Sequence, residues 1–141
     1  MRYRAILFDM DGTVLDTLED LKDAVNYSLR HFSLPEISRP QAMQNLGNGA
    51  AWLIQHSVPE GTPDALCAEV LRFYRPWYDA HCRIKTGPYP GILSLMEQLR
   101  AHGIRQAIIS NKPDSAVQEL AAAFFPNLMD QQMHIQIQKI Q

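Results

Sequence analysis

Cysteine is scarce in this 141-residue chain: Cys67 and Cys82 are the only two, with no C-x-x-C spacing and no histidine pattern around them. That excludes a disulfide framework and a zinc site built on paired thiols. No charge of one sign dominates either. Thirteen Lys+Arg against fifteen Asp+Glu leave a formal net charge of -2, without the basic surplus that a nucleic-acid backbone demands of its partner. Long apolar runs are missing too; none approaches the roughly 20 residues that cross a bilayer. The opening MRYRAILFDMDGT turns acidic too early for a secretory signal. The expectation is a cytoplasmic protein with neither a membrane nor a nucleic acid as partner. What remains is 46% hydrophobic residues, enough for one buried core but not for two full-sized domains.

Two short apolar runs read as buried strands: Arg4 to Phe8 (RAILF) and Ile104 to Ile109 (IRQAII), each delivering its carboxyl end to a polar loop. Helical periodicity fills the space between. Thr17, with Asp20 three residues on, reads as a cap for a helix whose apolar face carries Leu18, Leu21, Val25, Leu29 and Phe32. A second helix starts after Thr62-Pro63 along Leu66, Val70, Phe73 and Trp77, and Pro76 is expected to kink or end it near its last turn. A third, Ile92 to His102, places Leu95, Met96 and Leu99 on one face and stops at Gly103; a fourth follows Pro113 with Val117, Leu120, Ala121 and Phe124 inside. The order is strand, helical insert, helix, strand, helix, a right-handed parallel α/β unit interrupted once. Residues 18–83 are the insert, and residues 1–17 with 84–141 the core. The aromatic residues Trp52, Phe73, Tyr74, Trp77 and Tyr78 read as packing, and the five histidines as exposed or hydrogen-bonded side chains.

The chemistry concentrates in FDMDGTVLD. Asp9 and Asp11 are two apart and share a face of an extended backbone, and the Asp-Gly turn exposes both at the strand's carboxyl end. An ordinary surface turn is the plain reading of D-x-D-G. Two carboxylates held together repel unless a proton or cation lies between them, the arrangement of a Mg²⁺-assisted nucleophile and acid/base pair. The second strand ends in Ser110-Asn111-Lys112-Pro113, which serves either as a helix cap or as a cradle of hydroxyl and N–H donors for a phosphoryl group.

FDMDGTVLDT resembles motif I of the haloacid dehalogenase-like (HAD) phosphohydrolase superfamily. The resemblance implies that Asp9 is the nucleophile forming an aspartyl-phosphate and Asp11 the general acid/base. It also implies that both help hold Mg²⁺, through the side chain of the first and the backbone carbonyl of the second, and that Thr13 supports the loop and the phosphate pocket. SNK is similar to motif II, making Ser110, Asn111 and Lys112 phosphate-binding. The insert resembles the helical cap of the phosphoglycolate phosphatase-like branch, with Gly47-Asn48-Gly49 either a substrate-facing loop (Asn48, Gly49) or a helix C-cap and turn. Thr86 to Ile92 is similar to that branch's return to the core.

The resemblance covers Arg4 to Asp130 and then stops. Beyond Asn111 the acidic residues are Asp114, Glu119 and Asp130, none placed as a motif IV loop, and Lys139 is not placed as a motif III lysine. The final QQMHIQIQKIQ differs in composition from everything upstream; a frameshifted or prematurely stopped gene, a fragment and a genuine short protein are the three origins, and the abrupt change favours the first. Alternation from His134 to Gln138 suggests a strand that covers the open edge of Arg4 to Phe8, within the chain or across a dimer, and an uncovered edge would itself invite self-association. The fold class expected is α/β, an incomplete Rossmann-like parallel sheet of the HAD core type with an inserted helical cap. The function expected is Mg²⁺-dependent hydrolysis of a small phosphorylated metabolite, a phosphoglycolate-type phosphomonoester. The alternatives are a catalytically inactive HAD remnant that only binds phosphate, Mg²⁺ or a partner chain, and a sugar-phosphate mutase.

Overall fold

The structure, a computed structural model, describes residues 3–134. The chain divides into two compact units, Met1–Asp16 with Gly87–Gln141, and Thr17–Thr86.

The first unit is built on a parallel sheet. Strand β1 (Ala5–Phe8) pairs with β4 (Arg105–Ser110), Phe8 opposite Ile108, and β4 pairs with β5 (Gln131–His134), Ala107 opposite Gln131. The order is β1-β4-β5. Alternation along β4 buries Gln106, Ile108 and Ser110 on one face. Gln106 is tolerated there because its Nε2 donates to the carbonyls of Met96 (2.9 Å) and Leu128 (3.2 Å). Helix α5 (Ile92–Ala101) ends as expected at Gly103, whose φ of +71° is the left-handed C′ conformation. Of its expected apolar face only Met96 is fully buried; Leu95 stays 44% exposed. Helix α6 (Asp114–Phe124) buries Ala116, Val117, Leu120 and Ala121, and Phe125 beyond its end is buried where Phe124 is only partly so.

Two elements of this unit left no periodic signal. Strands β2 (Leu15–Asp16) and β3 (Gly87–Pro88) pair antiparallel over two residues each, joining the segment that leaves the sheet to the one that returns. Strand β5 precedes the stretch expected as a tail strand, sharing only His134 with it, and it lies on the far side of β4 from β1. A crossover through α6 returns the chain beside the strand it left, so the described part of the tail does not cover the β1 edge. The rest of the alternating stretch, residues 135–138, lies outside the described residues.

The second unit is helical: α1 (Leu18–His31), α2 (Arg39–Gln44), α3 (Ala50–Gln55) and α4 (Asp64–His81). Leu18, Leu21, Val25 and Leu29 are buried along α1 as their spacing requires. One expectation is overturned and another is narrowed. Thr17 sits at the N-cap without a side-chain cap bond, and Asp20 turns inward instead. Its carboxylate accepts the Lys85 N–H (2.9 and 3.0 Å), the Thr86 N–H (2.8 Å) and the Thr86 hydroxyl (2.8 Å). Three donors on a distant segment, bonded to one charged acceptor, outweigh one local cap bond. Of the two outcomes expected at Pro76, a kink or an end, the end does not occur, and α4 runs on to His81. The buried row of α4 is Val70, Tyr74, Tyr78, and its neighbours Phe73 and Trp77 stack on Tyr27 of α1 at 5.6 and 4.7 Å, contacts that hold the helix past its missing backbone bond.

Candidate active site

Two residues beyond the end of β1 lies Met10, fully buried, with Asp9 and Asp11 on either side of it. Around the buried methionine, Asp9 is exposed and Asp11 half-buried. The loop then winds around the Met10 carbonyl, which accepts the N–H groups of Thr13 (3.3 Å), Val14 (3.2 Å) and Leu15 (3.1 Å), while Gly12 N–H bonds Leu15 O at 2.9 Å. Gly12 adopts φ +76°, which an L side chain rarely takes, so the turn after Asp11 is specific to glycine.

Parallel pairing sets the carboxyl end of β4 beside this loop. Lys112 reaches across to Asp11, Nζ to Oδ1 3.1 Å, with side chains only 4% and 12% exposed. The Lys112 backbone N–H donates to Ser110 Oγ at 3.1 Å, a local turn that fixes the serine side chain, itself buried. Asn111, between them, is partly buried. The Thr13 hydroxyl and the Met10 N–H both bond the Asp9 carboxylate. Desolvation is the largest influence on Asp9 and raises its pKa above 3.8; the charge of Asp11 pushes the same way, against the lowering pull of Met10, Thr13 and Lys112.

Asp9, Asp11, Thr13, Ser110 and Lys112 therefore gather around two adjacent loops of the sheet unit. Asn48 and Gly49 belong to the helical unit. There Gly47 and Gly49 take φ of +97° and +87°, Gly49 is the N-cap of α3 and Asn45 the C-cap of α2, so the turn expected for this segment has a direct conformational basis while the helix C-cap is overturned. What sequence reasoning missed is the Lys112–Asp11 pair, which joins residues a hundred positions apart, and the anchoring part of Met10. An apolar residue between two acids at alternate positions was a readable sign of the second.

The donor set suits a hard cation. Mg²⁺ is held through one or two carboxylates, with water and substrate phosphate completing its shell, and Asp9 and Asp11 offer such oxygens. Among the described residues no group of three or more His, Cys, Asp or Glu side chains is gathered for a metal.

The model of the family described as haloacid dehalogenase-like hydrolase matches residues 6–130. The chain belongs to this family. It is 32% identical over 123 residues to the phosphoglycolate phosphatase of Aliivibrio fischeri, covering 83% of this chain and 54% of that protein. The Nitrosospira multiformis phosphoglycolate phosphatase is 31% identical over 116 residues, 79% of this chain and 51% of the relative. A crystal structure of a protein proposed to be a phosphoglycolate phosphatase, from Lactobacillus delbrueckii subsp. bulgaricus, superposes with a TM-score of 0.89 at 34% identity, over 96% of this chain and 66% of that one. This HAD-like chain thus spans about half the length of the curated relatives it matches. No helix among the described residues is long and apolar enough to cross a membrane.

Proposed function

We infer that the chain is a phosphoric monoester hydrolase of the phosphoglycolate phosphatase type, working in the cytoplasm on a small phosphorylated metabolite. One observation carries the reading: two carboxylates flank a buried residue at the carboxyl end of β1, and the neighbouring strand brings a buried serine and lysine to the same place. The names of the relatives supply the substrate class.

In this reading Asp9 attacks phosphorus, and the bond to the ester oxygen breaks as Asp11 gives that oxygen a proton. Water then attacks the phospho-Asp9 ester while Asp11 takes the water's proton, releasing phosphate and restoring both acids. The Met10 N–H and Thr13 hydroxyl on Asp9 hold the attacking carboxylate in one orientation. Ser110 Oγ, accepting from the Lys112 N–H, keeps its own proton to give a phosphoryl oxygen. Lys112 adds positive charge beside the incoming phosphate and Asp11, and Asn111 contributes its backbone N–H. Mg²⁺ would be held by the Asp9 side chain and the Asp11 backbone carbonyl, and supplies neutralisation of phosphate charge. Asn48 and Gly49 are assigned to substrate selection.

The test is phosphate release from 2-phosphoglycolate and a generic aryl phosphate with Mg²⁺. The expected result is turnover that Asp9→Asn reduces by at least about a thousandfold, as loss of a covalent nucleophile does. Release that persists in the variant overturns the mechanism. The second reading, a non-catalytic HAD remnant, is favoured by the lack of a third metal-binding side chain among the described residues. It is selected if neither protein releases phosphate while phosphate still raises the unfolding temperature of the parent chain.

A further inference from the structure

Given the hydrolase reading, on which this rests, we propose that Lys112 is the positioning residue of Asp11, the side chain that aims this acid at the oxygen leaving phosphorus. The two acids are held by different means. The Asp9 carboxylate is bonded by the Met10 N–H and the Thr13 hydroxyl. At Asp11 the loop fixes the backbone: the residue is bridged to Leu15, and the adjoining Gly12 N–H bonds Leu15 O at 2.9 Å. A fixed backbone still leaves the two torsions of an aspartate side chain to be set. Lys112 Nζ, 3.1 Å from Asp11 Oδ1, sets them.

The lysine can do so because it is held itself. Its N–H donates to Ser110 Oγ at 3.1 Å in a turn directly after β4, and its side chain is only 4% exposed. A long side chain gives up most of its rotamer freedom on burial, so the ammonium stands in one place. In a buried ion pair desolvation offsets much of the attraction, and what this one supplies is a fixed geometry. Oδ1 already accepts from Nζ, which leaves Oδ2 to carry the proton that Asp11 exchanges. As the Asp9 O–P bond forms and the ester O–P bond breaks, that proton passes to the departing oxygen; the attacking water later returns one to the same atom.

The leaving group provides the test. The alkoxide of 2-phosphoglycolate must be protonated as it departs, whereas 4-nitrophenolate leaves as an anion. The ratio kcat/KM covers the steps up to loss of the leaving group, and kcat also includes the attack of water on phospho-Asp9. With Mg²⁺ present, Lys112→Met should lower kcat/KM for 2-phosphoglycolate at least about a hundredfold, and for 4-nitrophenyl phosphate at least about tenfold less than that. With the aryl ester kcat and KM should fall together, because Asp11 no longer takes the water's proton efficiently. Lys112→Arg keeps the cation and should recover at least about tenfold of the loss on 2-phosphoglycolate. In an Asp11→Asn background Lys112→Met should cost less than about threefold, since nothing remains to be aimed. Circular dichroism at the assay temperature checks that each variant is folded, and Lys112→Gln carries the same comparisons if the methionine variant is not. Equal losses on both esters overturn the proposal while leaving the hydrolase reading intact. So does an equal loss with and without the Asp11 carboxylate, as a contact to phosphate alone would give. A parent chain that releases no phosphate, or whose release survives Asp9→Asn, overturns the hydrolase reading and the proposal with it.

Discussion

Lys112 is the residue on which the site's electrostatics turn. Its ammonium is all but buried, and the Asp11 carboxylate 3.1 Å away compensates it. Truncating one member of such a pair removes the opposite charge that offsets the other's desolvation. Lys112→Met is therefore expected to lower stability by about 1–3 kcal/mol in urea unfolding. Adding Asp11→Asn should recover part of that loss, so that the two changes together cost less than their separate effects combined; strict additivity would show that the pair does not couple. Asp9 works in the opposite sense. Its folded-state pKa lies above 3.8, so on folding it favours the protonated form, and the ionised form it must take at neutral pH costs stability. That cost is fully present above the raised folded value and fades as pH falls through it toward 3.8. Asp9→Asn should thus melt above the parent chain at pH 7 without metal, with the gap narrowing toward about pH 4; a gap that widens on acidification contradicts the assignment. The two acids were readable from the sequence because charge at the end of an apolar strand is itself unusual. The lysine's partner was not, since no local pattern links positions 11 and 112.

At the scale of elements, periodicity identified α1, α4, α5, α6, β1 and β4, because each buries one face and the spacing of apolar residues records which. Their ends were less legible. Thr17 and Asp20 have the spacing of a cap, yet Asp20 is drawn to Lys85 and Thr86, which its own helix gives no means of anticipating. Pro76 is a breaker in isolation, and the tertiary stacking of Phe73 and Trp77 on Tyr27 overrides it. The two-residue strands β2 and β3 are too short to carry any period. Asp20 makes the energetic point testable. Asp20→Ala strands the buried Thr86 N–H and that of Lys85, at about 1–3 kcal/mol for each orphaned donor, so a loss of about 2–4 kcal/mol is expected in urea unfolding. Asp20→Asn, which keeps one acceptor oxygen, should lose clearly less. Equal losses would mean that the negative charge, not the count of acceptors, holds the segment.

For the whole molecule, the alternation of strand and helix gave the α/β class, while the side of β4 taken by the tail depended on the crossover after α6. That choice leaves the outer edge of β1 without a neighbouring strand among the described residues, and exposed apolar side chains such as Leu7 matter most when net charge does not keep molecules apart. The balance of 13 basic and 15 acidic residues puts the isoelectric point near 6.2. Repulsion between copies is then weakest just below neutral pH, where Leu7 and Tyr3, with the exposed Leu93 and Leu95, are as accessible as ever. Static light scattering at fixed concentration should therefore peak close to pH 6.2 and fall steadily toward pH 8. Leu7→Glu removes apolar surface and adds an acid, so its peak should be lower and shifted to more acidic pH. A peak of unchanged height at the parent's pH would show that contacts elsewhere on the surface govern association, and that the open strand is inert.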